Sequence, residues 1–359
     1  MNISLIGLPK AGKTTIFNAL TGLEALVAAY SGQKAEPNVA VVKVLDYRVG
    51  QLSKMYNPKK TMHAAIQLTD PAGTGGADPS GGPFSTEILA LLRKADALVA
   101  VIRNFRDESL EETMERPDPQ QDLETIENEL LLSDQIIVER RLERIEADHR
   151  RGLRSMQSQA EEKLLRTLLA ELDNGQAIRS LELTPEQKKT ISGFRFLSEK
   201  PLLLILNTAE ESYGKTGPLL EQLGRNHDII EFAGSFEMEL SRLEPEEAEA
   251  FLADLGIEES ARARLTTFAY RALGYISFFT VGEDEVRAWK IRDGENAVAA
   301  AGTIHSDLAR GFIRAERFSY DDLIACGSER ELKGEGLMRL EGKEYLVQDG
   351  DILSIRFSV

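Results

Sequence analysis

Eight residues near the start of the chain have the types and spacing that hold a polyphosphate. The run Gly7-Leu8-Pro9-Lys10-Ala11-Gly12-Lys13-Thr14 matches G-x-x-x-x-G-K-[ST], between a strand pattern over residues 2 to 7 and a helical pattern that begins at Thr15. Glycines let the backbone approach phosphate, and the amides at a helix N-terminus favour an anion. Lys13 is expected to reach the β- and γ-phosphates, and the Thr14 hydroxyl is expected to bind Mg²⁺. The run predicts a site for ATP or GTP with Mg²⁺ as cofactor.

A second motif, Asp70-Pro71-Ala72-Gly73, follows an apolar strand pattern from Ala64 to Leu68. In a D-x-x-G switch the aspartate reaches Mg²⁺ and the glycine amide senses the γ-phosphate. The stretch from Gly73 to Pro83 contains five glycines and two prolines, which suits a segment that orders only with the γ-phosphate present, although an ordinary flexible loop is the alternative. The predicted metal ligands are Thr14 and Asp70, and the predicted catalytic residues are Lys13, Asp70 and Gly73.

The residue after Gly73 bears on the rate of hydrolysis. Many switch GTPases place a water-orienting glutamine there, but this chain has Thr74. A short hydroxyl does not reach as far as an amide, so the sequence predicts slow intrinsic turnover.

The base-reading position departs from that of a GTPase. Asn207-Thr208-Ala209-Glu210 follows the strand pattern Leu202 to Leu206, where a GTPase carries N-K-x-D. Thr208 replaces the lysine, and Glu210 moves the carboxylate out by one methylene, which should weaken paired hydrogen bonds to guanine. We expect weak or lost guanine specificity. The predicted nucleotide-binding residues are Gly7, Pro9, Lys10, Ala11, Gly12, Lys13, Thr14, Thr15, Asn207, Glu210 and Ser235.

These motifs need a sheet to position them. Apolar runs of strand length at Ala97 to Ile102, Leu202 to Leu206 and Ile229 to Phe232 are separated by helical segments. Such alternation predicts an α/β fold with a mostly parallel sheet covered by helices. The predicted nucleotide-binding domain spans residues 1–118 and 200–275.

Residues 119–199 interrupt that domain with a Leu- and Glu-rich, Pro-poor segment. Two apolar stripes at helical spacing predict an inserted antiparallel helical, coiled-coil-like arm. Its predicted tip, Glu139 to Arg154, holds six arginines against four carboxylates. A solvated helix face with i, i+4 ion pairs is one reading. The other is a partner-binding surface, for which Arg140, Arg141 and Arg144 are the candidate residues.

From about residue 276 the pattern changes to short alternating runs, which predict a small β-rich domain over residues 276–359. Phe278 to Val281, Val286 to Ile291 and Asp351 to Val359 read as strands. The Asp-Gly pair within Val347 to Ile352 predicts a hairpin turn between strands.

Composition bounds the class of protein. The chain has 359 residues, a formal net charge of -16, one cysteine and four histidines, which predicts two or three domains, no internal disulfide and no zinc cluster. An acidic chain repels nucleic acid, so RNA contact requires a local basic patch and no DNA partner is expected. No apolar run is long enough to span a membrane and no leader is evident, so we expect no membrane partner and a cytoplasmic location.

Taken together, these segments resemble the YchF or Obg-like ATPase family of translation-factor-class P-loop proteins. The resemblance runs along nearly the whole chain, through the GLPKAGKTTIFNALT opening, the EPN at Glu36 to Asn38, both motifs above, and the later segments FFTVGEDEVRAWKI and GTIHSDLARGFIRAE. It implies a nucleotide-binding domain interrupted by a helical arm, then a ubiquitin-like β-grasp domain known as TGS. It also implies ATP hydrolysis in preference to GTP and association with the ribosome, through ribosomal RNA or protein.

Three positions differ from the family pattern. Lys34 stands where the family typically has a threonine two residues before EPN, Phe105 to Met114 has no counterpart to a family histidine, and the Gly-rich switch is shortened. The leading hypothesis is therefore a slow ATPase switch acting on the translation machinery. A nucleotide-binding scaffold with little hydrolysis is the alternative, and a small-molecule P-loop kinase is disfavoured because the arm and the β-rich domain serve neither a lid nor an acceptor pocket.

Overall fold

The structure is a computed structural model, and it describes residues 1–22, 36–44, 46–71, 82–106, 116–240, 243, 247 and 260–358. Several predictions fall on other residues: Gly73, Thr74 and Lys34, most of the Gly-rich switch, most of Phe105 to Met114, and Val359 lie outside the described residues. Contacts divide the chain into two compact units, residues 1–41 with 67–261, and residues 42–66 with 262–359.

The strands have the following bounds. They are β1 Asn2–Ile6, β2 Asn38–Lys43, β3 Lys60–Met62, β4 Ala65–Asp70, β5 Ala97–Asn104, β6 Leu202–Thr208, β7 Asp228–Phe232, β8 Tyr275–Thr280, β9 Glu285–Arg292, β10 Phe312–Ser319, β11 Arg339–Glu341 and β12 Asp351–Phe357.

The helices alternate with these strands. They are α1 Lys13–Thr21, α2 Tyr47–Tyr56, α3 Thr86–Lys94, α4 Pro119–Arg150, α5 Met156–Asp173, α6 Pro185–Ile191, α7 Gly217–Leu223, α8 Gly234–Leu240, α9 Ala261–Leu273, α10 Ala297–Ile304, α11 Ser306–Arg310, α12 Tyr320–Cys326 and α13 Glu329–Gly334. Single 3₁₀ turns occur at Ile178–Ser180 and Glu210–Ser212.

The first unit is built on a sheet of order β2-β4-β1-β5-β6-β7. Strands β4, β1, β5, β6 and β7 pair in parallel, so their carboxyl ends meet at one edge. Continuous apolar sequences form the central strands, and all seven residues of β6 are buried, as expected for parallel strands covered on both faces. Helices α3, α4 and α7 contribute Leu92, Leu123, Ile126, Leu130 and Leu223 to the same apolar core.

The inserted arm is a pair of antiparallel helices. Contacts between α4 and α5 run in opposite sequence directions, from Gln135 Nε2 with Asp173 Oδ1 at 2.9 Å to His149 Nε2 with Ser158 Oγ at 2.9 Å. The second predicted stripe forms its interior, in a cluster of Leu164, Leu165, Leu168 and Leu172 with Leu131, Val138, Leu142, Ile145, Ile178, Ile191 and Phe196. The first predicted stripe differs, because Leu123, Ile126 and Leu130 pack in the core of the sheet. Packing against the sheet at one end and within the arm at the other stabilises the 32-residue helix α4.

One buried carboxylate fastens the root of the arm. Asp134 on α4 is fully buried, and it accepts hydrogen bonds from Arg93 Nη1 at 2.9 Å, Leu197 N at 3.0 Å, Ser198 N at 2.7 Å and Ser198 Oγ at 2.8 Å. Because Ser198 lies four residues before β6, this network joins the arm to the lead-in of a central strand. A buried charge without such partners would be strongly destabilising.

The second unit contains a mixed sheet of order β11-β10-β12-β8-β9-β3. The C-terminal region is β-rich, as its alternating pattern predicts, but residues 42–66 also belong to this unit. Lys60–Met62 pairs in parallel with Glu285–Arg287, and α2 packs on β9. This grouping differs from the predicted division, in which residues 1–118 lie wholly in the nucleotide-binding domain, because β3 finds its sheet partner more than 200 residues away.

The predicted hairpin at Asp349-Gly350 is wrong. Strand β12 begins after this turn, but its partners are β10 and β8 rather than a strand just before the turn. The turn is held instead by the Asp349 carboxylate, which accepts from Ser277 N at 2.9 Å and from Arg48 Nη1 at 2.7 Å. Gly350 has φ +89, which favours glycine and gives the Asp-Gly signal without a hairpin.

Candidate functional site: a phosphate-binding loop

The phosphate-binding loop, residues 7–14, connects β1 to α1 at the carboxyl edge of the parallel sheet. A Cβ on Gly7 would lie 2.6 Å from Val101 O, so only glycine fits against β5. Gly12 has φ +91, and a Cβ there would lie 2.2 Å from Asn207 Nδ2. The two motif glycines are thus fixed by the neighbouring strands as well as by the space a phosphate requires.

Lys13 lies within this loop. Its Nζ donates to Gly7 O at 2.8 Å and to Leu8 O at 2.9 Å, which curls the side chain back over the loop. Burial lowers the pKa of Lys13 to about 8, against the opposing charge of Asp70. A buried ammonium whose pKa is lowered gains more from an incoming anion than an exposed one does.

The predicted metal ligands meet at the end of β4. Thr14 Oγ1 donates to Asp70 Oδ2 at 2.8 Å, and Asn38 Nδ2 donates to the same oxygen at 3.4 Å. Asp70 is fully buried and Thr14 is nearly so. A hydroxyl and a carboxylate are hard oxygen donors, and Mg²⁺ is usually held by one or two protein oxygens together with phosphates and water. These residues therefore fit Mg²⁺.

Asn207 lies on β6, two strands from β1 in the sheet, and connects that strand to the phosphate-binding loop. Its Nδ2 donates to Ala11 O at 3.0 Å, within the phosphate-binding loop. Thr208 is also buried, and Asn104 Nδ2 donates to Thr208 Oγ1 at 3.3 Å. Glu210 is exposed at the start of a 3₁₀ turn. The buried end of this motif thus positions the loop, and Glu210 at its other end is exposed.

A cavity of about 750 Å³ opens beside this motif. It lies between the segments that follow β5 and β6, and it is lined by Asn104, Phe105, Arg106, Arg116, Pro117, Ala209, Glu211, Ser212, Lys215, Thr216, Pro218 and Leu219. Sequence reasoning missed Phe105 as part of this surface, although its ring lies 3.9 Å from the Cβ position of Gly12.

Glu231 is a positioning residue that the motifs do not reveal. It is buried on β7, and its carboxylate accepts from Gly214 N at 3.0 Å and Thr216 Oγ1 at 2.5 Å. These bonds hold the segment after β6 against the sheet, and that segment forms one wall of the cavity. An acidic residue inside an apolar strand pattern is the signal that identifies it in the sequence.

The other predicted nucleotide-binding residues lie around the loop. Pro9 and Lys10 are exposed, Ala11 is buried, and Lys10 has φ 63. Thr15 Cγ2 lies 3.1 Å from the Cβ position of Gly234, so the start of α8, which includes Ser235, adjoins α1. The side chain of Ser235 lies outside the described part of the structure.

The predicted partner-binding arginines form a separate group on α4. Arg140 and Arg144 are exposed, whereas Arg141 donates Nε and Nη2 to the Glu161 carboxylate at 2.8 and 2.9 Å. Arg141 thus joins the two helices of the arm, and its guanidinium is less available than the other two.

A parallel sheet, a glycine-shaped loop at its carboxyl edge and the Lys13, Thr14 and Asp70 cluster define a P-loop nucleotide-binding protein. Residues 2–140 match the family model MMR_HSR1, described as 50S ribosome-binding GTPase, and residues 275–358 match YchF-GTPase_C, described as a protein of unknown function (DUF933).

Similar proteins extend the match to the whole chain. The Ribosome-binding ATPase YchF of Bacillus subtilis (strain 168) is 37% identical over 100% of both chains, and that of Haemophilus ducreyi is 37% identical over 99% of this chain and 98% of its own. The structure of the Schizosaccharomyces pombe YchF GTPase aligns with a TM-score of 0.86 at 29% identity, covering 99% of this chain and 97% of its own. The chain belongs to the YchF family. In the part of the chain that the structure describes, every helix is too short or too polar to be a membrane span.

Proposed function

We propose that the chain is a cytoplasmic switch that binds a nucleoside triphosphate with Mg²⁺, prefers ATP to GTP, hydrolyses it slowly and acts on the ribosome. The observation that carries this proposal is the cluster of Lys13, Thr14 and Asp70 at one end of the parallel sheet. Lys13 supplies charge to the β- and γ-phosphates, and the loop amides supply hydrogen bonds.

Thr14 and Asp70 would hold Mg²⁺, with Asn38 orienting the carboxylate through its amide. When bound, Mg²⁺ neutralises charge on the phosphate oxygens. The protein's own contribution is to fix the hydroxyl and the carboxylate in a buried position before nucleotide arrives, which lowers the cost of ordering them on binding.

The preference for ATP rests on the second motif. Thr208 is buried and turned toward Asn104, so it does not supply the lysine chain that packs along guanine in a GTPase. Glu210 places its carboxylate one methylene farther out than aspartate does. The bacterial relatives are named ATPases, in line with this preference, and the Schizosaccharomyces pombe relative is named a GTPase.

Ribosome association is proposed from the relatives' names together with the charge distribution. The chain carries a net charge of -16, so attachment requires local positive surface. The arm supplies exposed Arg140 and Arg144. A nucleotide-binding scaffold with little hydrolysis remains the second candidate, because Lys34 replaces the family threonine of the first switch.

Replacing Lys13 tests the phosphate site. Lys13→Ala should lower ATP affinity at least about 100-fold, roughly 3 kcal/mol, because it removes the partly buried positive charge that faces the phosphates. Calorimetry measures the affinity, and circular dichroism checks that the fold is intact. Lys94→Ala, at an exposed lysine that ends α3, is the matched control. ATP affinity of the Lys13 variant within a few-fold of wild type would contradict the assignment.

The choice of nucleotide and the rate are tested on the wild-type protein. We expect ATP to bind at least as tightly as GTP, and multiple turnovers of ATP at well under about 10 per second, the median for enzymes. A tenfold preference for GTP, about 1.4 kcal/mol, would refute the first expectation. Hydrolysis limited to less than one ATP per protein would favour the scaffold.

A further inference from the structure

The turn that joins α4 to α5 has an unusual composition. We define the hairpin end as residues 149–160, with the sequence HRRGLRSMQSQA. It contains Arg150, Arg151 and Arg154 and no aspartate or glutamate, in a chain whose net charge is -16. This end of the arm is therefore a local reversal of the protein's charge.

Local hydrogen bonds hold the backbone of the hairpin end in place. Arg151 N donates to Ala147 O and Asp148 O at the end of α4, and Gly152 has φ +83. Ser155 and Ser158 form a reciprocal capping box that starts α5. The turn thus presents its side chains from a fixed frame, which lowers the entropy lost when a partner binds.

Its side chains point to solvent. Leu153 is 66% exposed and Met156 is 89% exposed, although the arm has a complete apolar interior without them. Arg150, Arg151 and Arg154 are exposed and have no ion pair among the residues that the structure describes. Single exposed apolar residues need no explanation, but this pair lies three residues apart and is framed by three free guanidinium groups.

We propose that the hairpin end is a protein-docking surface for an acidic segment that carries apolar side chains, on a protein of the ribosome. This inference rests on the proposed ribosome association and names the kind of contact that this part of the arm makes. Leu153 and Met156 insert between apolar side chains of the partner, and the three arginines pair with its carboxylates. Met and Arg are enriched in the cores of protein interfaces, and methionine adapts to irregular apolar surfaces.

The chemistry favours a protein over RNA as the partner. Single-stranded RNA is bound by aromatic side chains that stack on bases, and the hairpin end contains no Phe, Tyr or Trp. Its one histidine, His149, is turned inward to Ser158 Oγ at 2.9 Å and presents no open ring face. A surface for phosphates alone would need the arginines but not the exposed leucine and methionine. The two apolar side chains therefore decide between the two classes of partner.

A double variant separates these contributions. Leu153→Ser with Met156→Ser keeps every charge, and it should weaken co-sedimentation with purified bacterial ribosomes at least tenfold while ATP affinity stays unchanged. Leu132→Ser with Ile136→Ser is the matched control, because these α4 residues are 50% and 38% exposed on the same arm. Equal ribosome affinity of the hairpin-end variant and wild type would overturn the proposal.

A cross-link identifies the partner's class. Gln157 is exposed beside Met156, and p-benzoylphenylalanine at that position should give, on irradiation with ribosomes, an adduct that resists ribonuclease and is shortened by protease to an acidic peptide. An adduct with ribosomal RNA, or none from protein that sediments with ribosomes, would overturn the docking surface and leave ribosome association intact. Failure of the wild type itself to sediment would remove the proposed function and this inference with it.

Discussion

The phosphate-binding loop and the helical arm use charged side chains in opposite ways. At the loop, Lys13 is partly buried, Asp70 at the end of β4 is fully buried, and both are bonded within the fold, so their geometry is set before a ligand arrives. Along the arm, the charged side chains become less buried from the root to the hairpin end. Asp134 is fully buried, Arg141 forms an ion pair with Glu161, and Arg150 is exposed. Buried charges fix the geometry of the nucleotide site, and exposed charges can contact a partner. Mutations in the loop should therefore change ATP affinity, and mutations at exposed arm residues should change ribosome affinity.

The largest effect is expected at the root of the arm. Asp134→Asn should lower the free energy of unfolding by about 3 to 5 kcal/mol, because it leaves Arg93 as an uncompensated partly buried charge and places an amide against the backbone amides of Leu197 and Ser198. Urea unfolding followed by circular dichroism measures the change.

The control for Asp134 lies on the same helix. Glu124→Gln alters an exposed carboxylate on α4 and should change the free energy of unfolding by less than about 0.5 kcal/mol. A loss below about 1 kcal/mol for Asp134→Asn would show that the network at the root is not what fastens the arm, and the contrast with the loop would fail.

An intermediate effect is expected from proton binding by Lys13. Its pKa is lowered to about 8 from an ordinary value of 10.5, so between these pH values the unfolded chain binds more protons than the folded one. The contribution of Lys13 to the free energy of unfolding therefore rises with pH across that window. Triphosphate affinity should do the reverse, because nucleotide requires the protonated ammonium. We expect a fall of roughly ten- to thirtyfold between pH 7 and 9.5.

Calorimetry checks this in two ways. ATP affinity is measured across the pH series, and titrations at pH 9 in two buffers of different ionisation enthalpy should reveal uptake of close to one proton. Lys13→Arg remains charged throughout and should remove the uptake. If wild type and Lys13→Arg lose affinity in parallel with pH, the titrating group is elsewhere.

The sequence predicted those parts of the site that are local in the chain. The glycines, Lys13 and Thr14 lie within eight residues, and an apolar pattern predicts the strand that ends at Asp70. It did not predict that Asn207 donates to Ala11 O, because that bond joins residues 196 apart and depends on strand order. The spacing of residues within a motif carries no information about a contact between two distant motifs.

The same limit explains the two structural surprises. Residues 42–66 contribute β3 to the second sheet, and pairing of short strands depends on which edge is open rather than on the strand's own sequence. The Asp349-Gly350 pair is typical of a hairpin turn, but here the Asp349 carboxylate accepts hydrogen bonds from Arg48 and from the backbone of Ser277. Local propensity specified a turn, and tertiary partners decided what the turn connects.

The smallest effect is expected from the arginines along the arm, where the comparison can be sharpened within one helix. Arg140→Ala with Arg144→Ala removes two exposed charges and should lower ribosome affinity by a few-fold, because contacts to phosphates release counterions. The slope of log affinity against log salt should also flatten.

Adding Arg141→Ala should change affinity little further, since that guanidinium already bonds Glu161 at 2.8 and 2.9 Å. Its loss should instead lower the free energy of unfolding by less than about 1 kcal/mol, as for other partly exposed ion pairs. Co-sedimentation across a salt series measures the affinities, and ATP affinity, which depends on the phosphate-binding loop, should stay constant in both variants. A double variant that binds ribosomes as well as wild type at every salt concentration would make this stretch of α4 a plain solvated helix face and confine recognition to other surfaces.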